Sequence, residues 1–404
     1  MNKEIVVIGG GQAALSFAVR FRQKDEESRI TILGEELHLP YQRPPLSKKY
    51  ATGDMKQEQL LLRPADWFET NRVDCKTGVR VKFVDADNKT LQTESGEVLA
   101  WDKLVFATGS RPRSLPKAIG GGLPGVYLLR SIQDADQFAH ELVKGRSVTI
   151  IGGGYIGLEA AAVCASKGLE VTLVEAAERI LQRVACAQTS DWFRELHAGN
   201  GVKIREGVGL ERIEASNGRA SSVALADGSV TDTDFVLVGI GITPNSELAE
   251  EAGLDVDGGI VVNEFCQTSH PGIYAAGDCA SFQYKGELIR LESVQNAIDQ
   301  AECAADNAAG ENRKYTPYPW FWSDQYDIKL QIAGLNRNYD HIIIRSGERE
   351  GTVSHFYFAG DTFLAVDSMN DPRTYMVAKK MLEAGRNITP AQASDTQLQL
   401  KSLL

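Results

Sequence analysis

At 404 residues the chain has room for two or three domains of about 150 residues each. Its 43% hydrophobic and 24% charged content is that of a folded globular protein and excludes the disordered class. A net charge of −11 argues against nucleic acid and anionic membrane as partners, since both select a basic footprint.

No apolar run reaches membrane-spanning length, and the first strand is expected directly after Met1, where a targeting segment would otherwise stand. The expectation is a cytoplasmic protein. The six cysteines, Cys75, Cys164, Cys186, Cys266, Cys279 and Cys303, form no C-x-x-C or C-x-x-x-x-C motif. That spacing offers neither a local redox disulfide nor a clustered zinc or iron–sulfur site, and no metal is expected.

The first predicted strand, EIVVI at 4–8, runs into Gly9, Gly10, Gly11 and Ala14, a G-x-G-x-x-A fingerprint opening a helix. The next apolar run, 30–33, is followed by Gly34 where a ribose-binding acid would stand, so Glu35 becomes the substitute. Residues 38–49, HLPYQRPPLSKK, are too proline-rich at their centre for helix or strand. Two readings stay open: a solvated loop, or a rigid segment whose Arg43 and Lys48 hold a flavin and its phosphates.

WDKLVFATGSRPR at 101–113 and DFVLVGIGITPN at 234–245 match in register, with Asp102 and Pro112 answering to Asp234 and Pro244. Between them, 148–175 reads VTIIGGGYIGLEAAAVCASKGLEVTLVE. An apolar strand leads into the turn Gly152, Gly154, Gly157. A helix stops at Gly168, and a second strand ends in Glu175. The glycines admit a pyrophosphate to the helix N-terminus, and an acid at 175 bonds a free 2′-hydroxyl and repels a 2′-phosphate. The expected ligand is NADH rather than NADPH.

The chain is therefore a duplicated dinucleotide unit that binds two nucleotides, with the N-terminal copy, by analogy, the FAD site. A Gly/Pro-rich linker at 115–125 joins the halves. Asp278, at the end of the strand in GIYAAGDCA, either bonds a ribityl or phosphate oxygen or caps the segment that follows. A helix is expected over 292–305. From Tyr315 the texture changes to aromatics and alternating runs at 329–333, 341–345 and 353–358, with a helix near 375–384, which predicts an antiparallel third domain.

GGGQAA, HLPYQRPPLSK, ATGSRPR, GGGYIGLE, GIGITPN, AAGDCA and PWFWSDQYD together resemble the FAD-dependent NADH:ferredoxin reductases of oxygenase systems. These are the putidaredoxin reductase and rhodocoxin reductase type of the glutathione-reductase superfamily. The resemblance spans essentially the whole chain. It implies an α/β fold with two Rossmann-like domains, for FAD and NAD, plus a C-terminal α+β domain with an antiparallel sheet. The implied boundaries are 1–113 and 236–315 for FAD, 114–235 for NAD and 316–404 for the C-terminal domain.

By matching position, the resemblance implies that Gly9, Gly11, Ala14 and Glu35 cradle the FAD adenosine diphosphate. Arg43, Lys48, Ala107, Arg111, Arg130, Asp278 and Val294 would lie along the rest of that cofactor. Val294 departs from relatives that carry tryptophan there. Gly152, Gly154, Tyr155, Ile156, Gly157, Glu175 and Gly241 would take NAD. Lys48 resembles the lysine beside flavin N5, paired with Glu159; Tyr155 the aromatic over the nicotinamide pocket; Trp322 the tryptophan presented toward the iron–sulfur partner. The implied reaction passes a hydride from NADH to FAD and single electrons to a [2Fe–2S] ferredoxin that supplies a monooxygenase or ring-hydroxylating dioxygenase. The implied assembly is a monomer or weak dimer. The alternatives are a rubredoxin or monodehydroascorbate reductase and, from another class, an FAD/NAD-binding protein like apoptosis-inducing factor. The missing local cysteine pair speaks against a disulfide reductase.

Overall fold

The computed structural model describes residues 2–404, which divide into two compact units. One contains residues 2–43, 57–111 and 242–317; the other contains 44–56, 112–241 and 318–404.

The first unit is built on a parallel sheet in the order Ile273–Ala275, Lys103–Phe106, Glu4–Ile8, Arg29–Gly34, Val73–Thr77. Its central strands are short β-branched runs buried on both faces, the pattern that a parallel sheet covered by helices demands. The helix Gln12–Lys24 packs against Val294–Ala308. Phe17 and Phe21 stack at 5.7 Å in the same core as the small residues Ala301, Ala304 and Ala308. Burying each phenylalanine is worth roughly 1.5–3 kcal/mol.

In the second unit the parallel order is Lys203–Arg205, Glu170–Val174, Ser147–Ile151, Phe235–Val238, Val126–Tyr127. The edge strand Val126–Tyr127 follows the expected linker directly. Helix Tyr155–Ser166 covers this sheet and is buried from Gly157 to Cys164 except at Val163, a run that is apolar apart from Glu159. A charge at such a place must be paired.

The same unit holds an antiparallel sheet in the order Trp320–Gln325, Ile328–Gly334, Thr362–Met369, Val353–Ala359, His341–Ser346. Helix Pro372–Glu383 packs on it, with Asp371 as its N-cap. Three of these strands fall on the alternating runs expected from the sequence; Trp320–Gln325 begins at the aromatic run, and Thr362–Met369 lies outside the expected elements.

Where helix Ala187–Gly199 meets this sheet, Thr189 Oγ1 donates to Asp367 Oδ2 (2.9 Å) and accepts from His355 Nδ1 (2.8 Å). Tyr357 also donates to Asp367 Oδ2, while Asp367 Oδ1 is buried with no partner. Burial raises the Asp367 carboxyl to about 6 and lowers the His355 imidazole to about 4. The fold is of the expected class, two Rossmann-like sheets and a C-terminal antiparallel sheet. Among the described residues no helix is long and apolar enough to cross a membrane.

Candidate active site

Each parallel sheet ends in a glycine turn built to one plan. The Asp102 carboxylate accepts from Glu4 N–H (2.8 Å), tying down the start of one central strand, and Asp234 accepts from Ser147 N–H (2.7 Å) at the start of the other. At the matching place after each acid a carbonyl closes on the first glycine. A Cβ on Gly9 would lie 2.1 Å from Ala107 O, and one on Gly152 would lie 2.4 Å from Gly239 O. With φ of +118° and +109°, both places exclude any residue but glycine. The duplication read from the motifs thus extends to the atoms that enforce the turns.

Gly11 and Gly154 are different, because nothing lies within 4 Å of a Cβ built on either. They are the N-caps of Gln12–Lys24 and Tyr155–Ser166, and neither helix has a side-chain cap or an acid in its first turn. Ser131, Ser293, Asp371 and Thr389, by contrast, cap their helices with side-chain bonds. Open space before unpaired N–H groups at a helix start fits a pyrophosphate, so the residues present suit a dinucleotide at both turns.

The ends of the second strands separate the two cradles. Strand register sets Gly34 opposite the place that Glu175 holds in the other unit. A Cβ on Gly10 would meet Gly34 Cα at 3.1 Å, so the two glycines let these backbones close on each other. Glu175 instead accepts from Gly153 N–H (2.7 Å) and Ala177 N–H (2.8 Å), fixing its carboxylate against the glycine loop.

Glu35 is exposed, and its neighbour Glu36 makes the contacts: Oε1 accepts from Arg43 Nη2 (2.6 Å), and Oε2 accepts from the Tyr41 hydroxyl. Burial pushes the Glu36 carboxyl up, but the Arg43 guanidinium and Tyr41 outweigh it and hold it below its ordinary value. Sequence reasoning passed over Glu36. Which of two adjacent acids turns inward depends on the loop, here set by Gly78 N–H donating to Glu36 O.

The second unit joins Lys48 and Glu159, as the resemblance implied. Lys48 Nζ lies 3.0 Å from Glu159 Oε1 and 3.3 Å from Asp324 Oδ2. Glu159, 4% exposed, also accepts from Ser47 Oγ (2.9 Å) and Ser323 Oγ (2.7 Å). Burial raises its pKa, and Lys48 and the two hydroxyls only partly offset that. A buried ion pair with this many donors is well satisfied, yet removing either partner would strand a charge. One turn earlier on the helix, Tyr155 packs on Phe321 at 4.9 Å; its hydroxyl is buried without a partner, and burial holds its pKa well above the ordinary value.

Asp278 accepts from Ser110 Oγ (2.8 Å), and Arg111 bonds Asn245 Oδ1 (2.8 Å) and Glu247. Ala14 and Ala107 are buried; Arg130 is half-buried. Val294 opens the helix that Ser293 caps. Ile156 is exposed at the start of its helix, Gly241 has φ +102°, and Trp322 is flanked by Trp320 (5.7 Å) and Phe321 (6.3 Å). The fold also brings Cys266 and Cys303 into contact through their thiols, a pairing hidden by their separation in sequence; both are fully buried and free.

Residues 3–304 match the family described as pyridine nucleotide-disulphide oxidoreductase, and residues 320–404 match the reductase C-terminal family. The chain is 43% identical over 399 residues to rhodocoxin reductase of Rhodococcus erythropolis, covering 98% of this chain and 93% of that one. It is 38% identical over 409 residues to putidaredoxin reductase of Pseudomonas putida, covering 100% and 97%. The reductase in the solved covalent putidaredoxin reductase–putidaredoxin complex superposes with a TM-score of 0.96 at 38% identity, covering 100% of this chain and 98% of that one.

Proposed function

The chain belongs to the pyridine nucleotide-disulphide oxidoreductase family, and from that premise we propose that it is an FAD-dependent NADH:ferredoxin reductase. It passes electrons from NADH, one at a time, to a [2Fe–2S] ferredoxin that serves a monooxygenase or ring-hydroxylating dioxygenase. When bound, FAD supplies the chemistry of taking a hydride and releasing single electrons. The side chains bind, orient and set the electrostatics.

Segments 1–113 and 236–315 form the FAD part, 114–235 the NAD part, and 316–404 a C-terminal domain. FAD is held by Gly9, Gly11, Ala14, Arg43, Ala107, Arg111, Arg130, Asp278 and Val294, with Glu36 joining Glu35 as a candidate for the ribose. NADH is held by Gly152, Gly154, Tyr155, Ile156, Gly157 and Gly241. Glu175 presents its carboxylate where a 2′-phosphate would be repelled. Lys48 and Glu159 act at the flavin, and Trp322 on the side of the electron acceptor. The protein works in the cytoplasm, a setting that suits its six free cysteines.

The observation that carries this reading is the Ser47–Lys48–Glu159 cluster. Where an oxidase, peroxidase or disulfide reductase of this superfamily needs a reactive thiol, this chain supports the reading with a serine and a lysine bonded to a buried carboxylate. The test mixes the yellow protein with NADH and a panel of [2Fe–2S] ferredoxins, rubredoxin and monodehydroascorbate. Fast flavin bleaching by NADH, followed by ferredoxin reduction, is expected. Transfer to rubredoxin or monodehydroascorbate alone, or no flavin reduction by NADH, would overturn the assignment.

A further inference from the structure

Beyond Glu159, the hydrogen bonds continue in one direction. Ser323 Oγ–H donates to Glu159 Oε1 (2.7 Å) and accepts from Gln325 Nε2 (3.2 Å). Gln325 Oε1 must then be the acceptor for His197 Nε2–H (2.8 Å), which leaves His197 Nδ1 to accept from the Tyr326 hydroxyl (3.2 Å). Four donors in a row point at one carboxylate, and each link fixes the orientation of the next.

The row is built into the fold. Ser323, Gln325 and His197 are fully buried, so no water competes for their bonds. Burial lowers the His197 pKa, and a neutral ring with the proton on Nε2 is the one form that passes the row on. The groups facing the carboxylate are Lys48 and, beyond it, Asp324; those facing His197 are Tyr326 and, behind Tyr326, Cys164, whose buried thiol is raised to about 12. Tyr326 sits in the two-residue hairpin turn between Trp320–Gln325 and Ile328–Gly334 with φ +56°, a conformation that favours glycine. The tyrosine's ring lies on His197 at 5.2 Å, and its hydroxyl starts the row.

We propose that Tyr326, His197, Gln325 and Ser323 form a positioning arm for Glu159, holding its carboxylate ionised and oriented so that Lys48 is fixed for the flavin reaction. This rests on the reading of Lys48 given above, and the tests separate the two. In the FAD-loaded full chain, the carboxyl stretch of Glu159 is followed by infrared titration, assigned through Glu159→Gln, and flavin reduction by NADH is followed across pH in a stopped flow.

Ser323→Ala removes a donor to the charged form and is expected to raise the Glu159 transition by roughly one to two pH units. Gln325→Leu shifts it the same way by less, Ser323→Thr restores it, and the pH profile of flavin reduction moves in step. A merely structural role would lower stability without moving either profile. If Gln325→Leu fails to fold, Tyr326→Phe, which deletes one oxygen at the outer end, should give a smaller shift of the same sign. Unmoved profiles in Ser323→Ala, where Glu159→Gln does alter flavin reduction, overturn the arm and leave the lysine reading standing. An unaltered profile in Glu159→Gln overturns both.

Discussion

A glycine can be required by the protein or by its ligand, and Gly152 and Gly154 separate the two cases. Alanine at Gly152 would meet Gly239 O at 2.4 Å with φ at +109°, so Gly152→Ala is expected to cost several kcal/mol, on the order of a strained backbone plus a steric shift, and to show in the melting temperature. Gly154→Ala meets nothing within 4 Å at φ −81°. It should melt like the parent while its KM for NADH rises about tenfold or more, because the methyl stands where the pyrophosphate approaches. Equal losses of stability in both variants would refute the distinction. Glu175→Ala removes a charge held by two backbone N–H groups, so the kcat/KM preference for NADH over NADPH is expected to fall by roughly tenfold, about the value of one charge-assisted bond. Retained preference would show that the carboxylate is not the discriminator.

At the scale of elements, the junction between helix Ala187–Gly199 and the antiparallel sheet carries two titrations of opposite sign. Asp367 has a folded pKa of about 6 against an ordinary 3.8, so it binds its proton more tightly when folded. Its stabilising contribution is complete below about pH 4 and is lost as pH rises through 6. His355 runs the other way: at about 4 against an ordinary 6.5, its contribution is complete above 6.5 and lost as pH falls through 4. Asp367→Asn keeps the acceptor for Tyr357 and Thr189 and deletes only the first titration. It should therefore stabilise the protein above pH 6 by up to about 3 kcal/mol, the worth of two pKa units, with the gain closing toward pH 4. Thermal melts at pH 8 and pH 4.5 decide it; a variant less stable at pH 8 would mean that the buried charge stabilises.

On the scale of the whole molecule, the chain passes between its two units at 43/44, 56/57, 111/112, 241/242 and 317/318, so neither unit is one continuous segment. A ligand that binds only the folded form raises stability by about 2.7 kcal/mol at a hundredfold excess over its Kd. Stripping FAD should lower the melting temperature, and adding it back should restore it; a melt indifferent to FAD would contradict the first cradle. The two cradles were legible in the sequence because their signals are local: glycine spacing, flanking apolar runs, and an acid at the strand end. Asp102 and Asp234 were visible as repeats, although their bonds to Glu4 and Ser147 were not. What stayed hidden was long-range or a choice between neighbours. His197, Ser323 and Gln325 are common residue types that meet across more than a hundred positions, Glu36 differs from Glu35 only by a turn, and Cys266 and Cys303 become neighbours only after folding.

The left-handed Tyr326 marks a place where backbone and side chain pull apart. Glycine at 326 would relieve about 1 kcal/mol of backbone strain and suit the hairpin, but it would forfeit the ring packed on His197 and leave the buried His197 Nδ1 without its donor, losses that outweigh the relief. A lineage screened for heat resistance and one screened for electron delivery should therefore both keep an aromatic at 326, and only the second should hold to the hydroxyl. Phenylalanine accepted under mutagenesis selected on heat, and rejected under mutagenesis selected on electron delivery, would be the evolutionary signature of the arm.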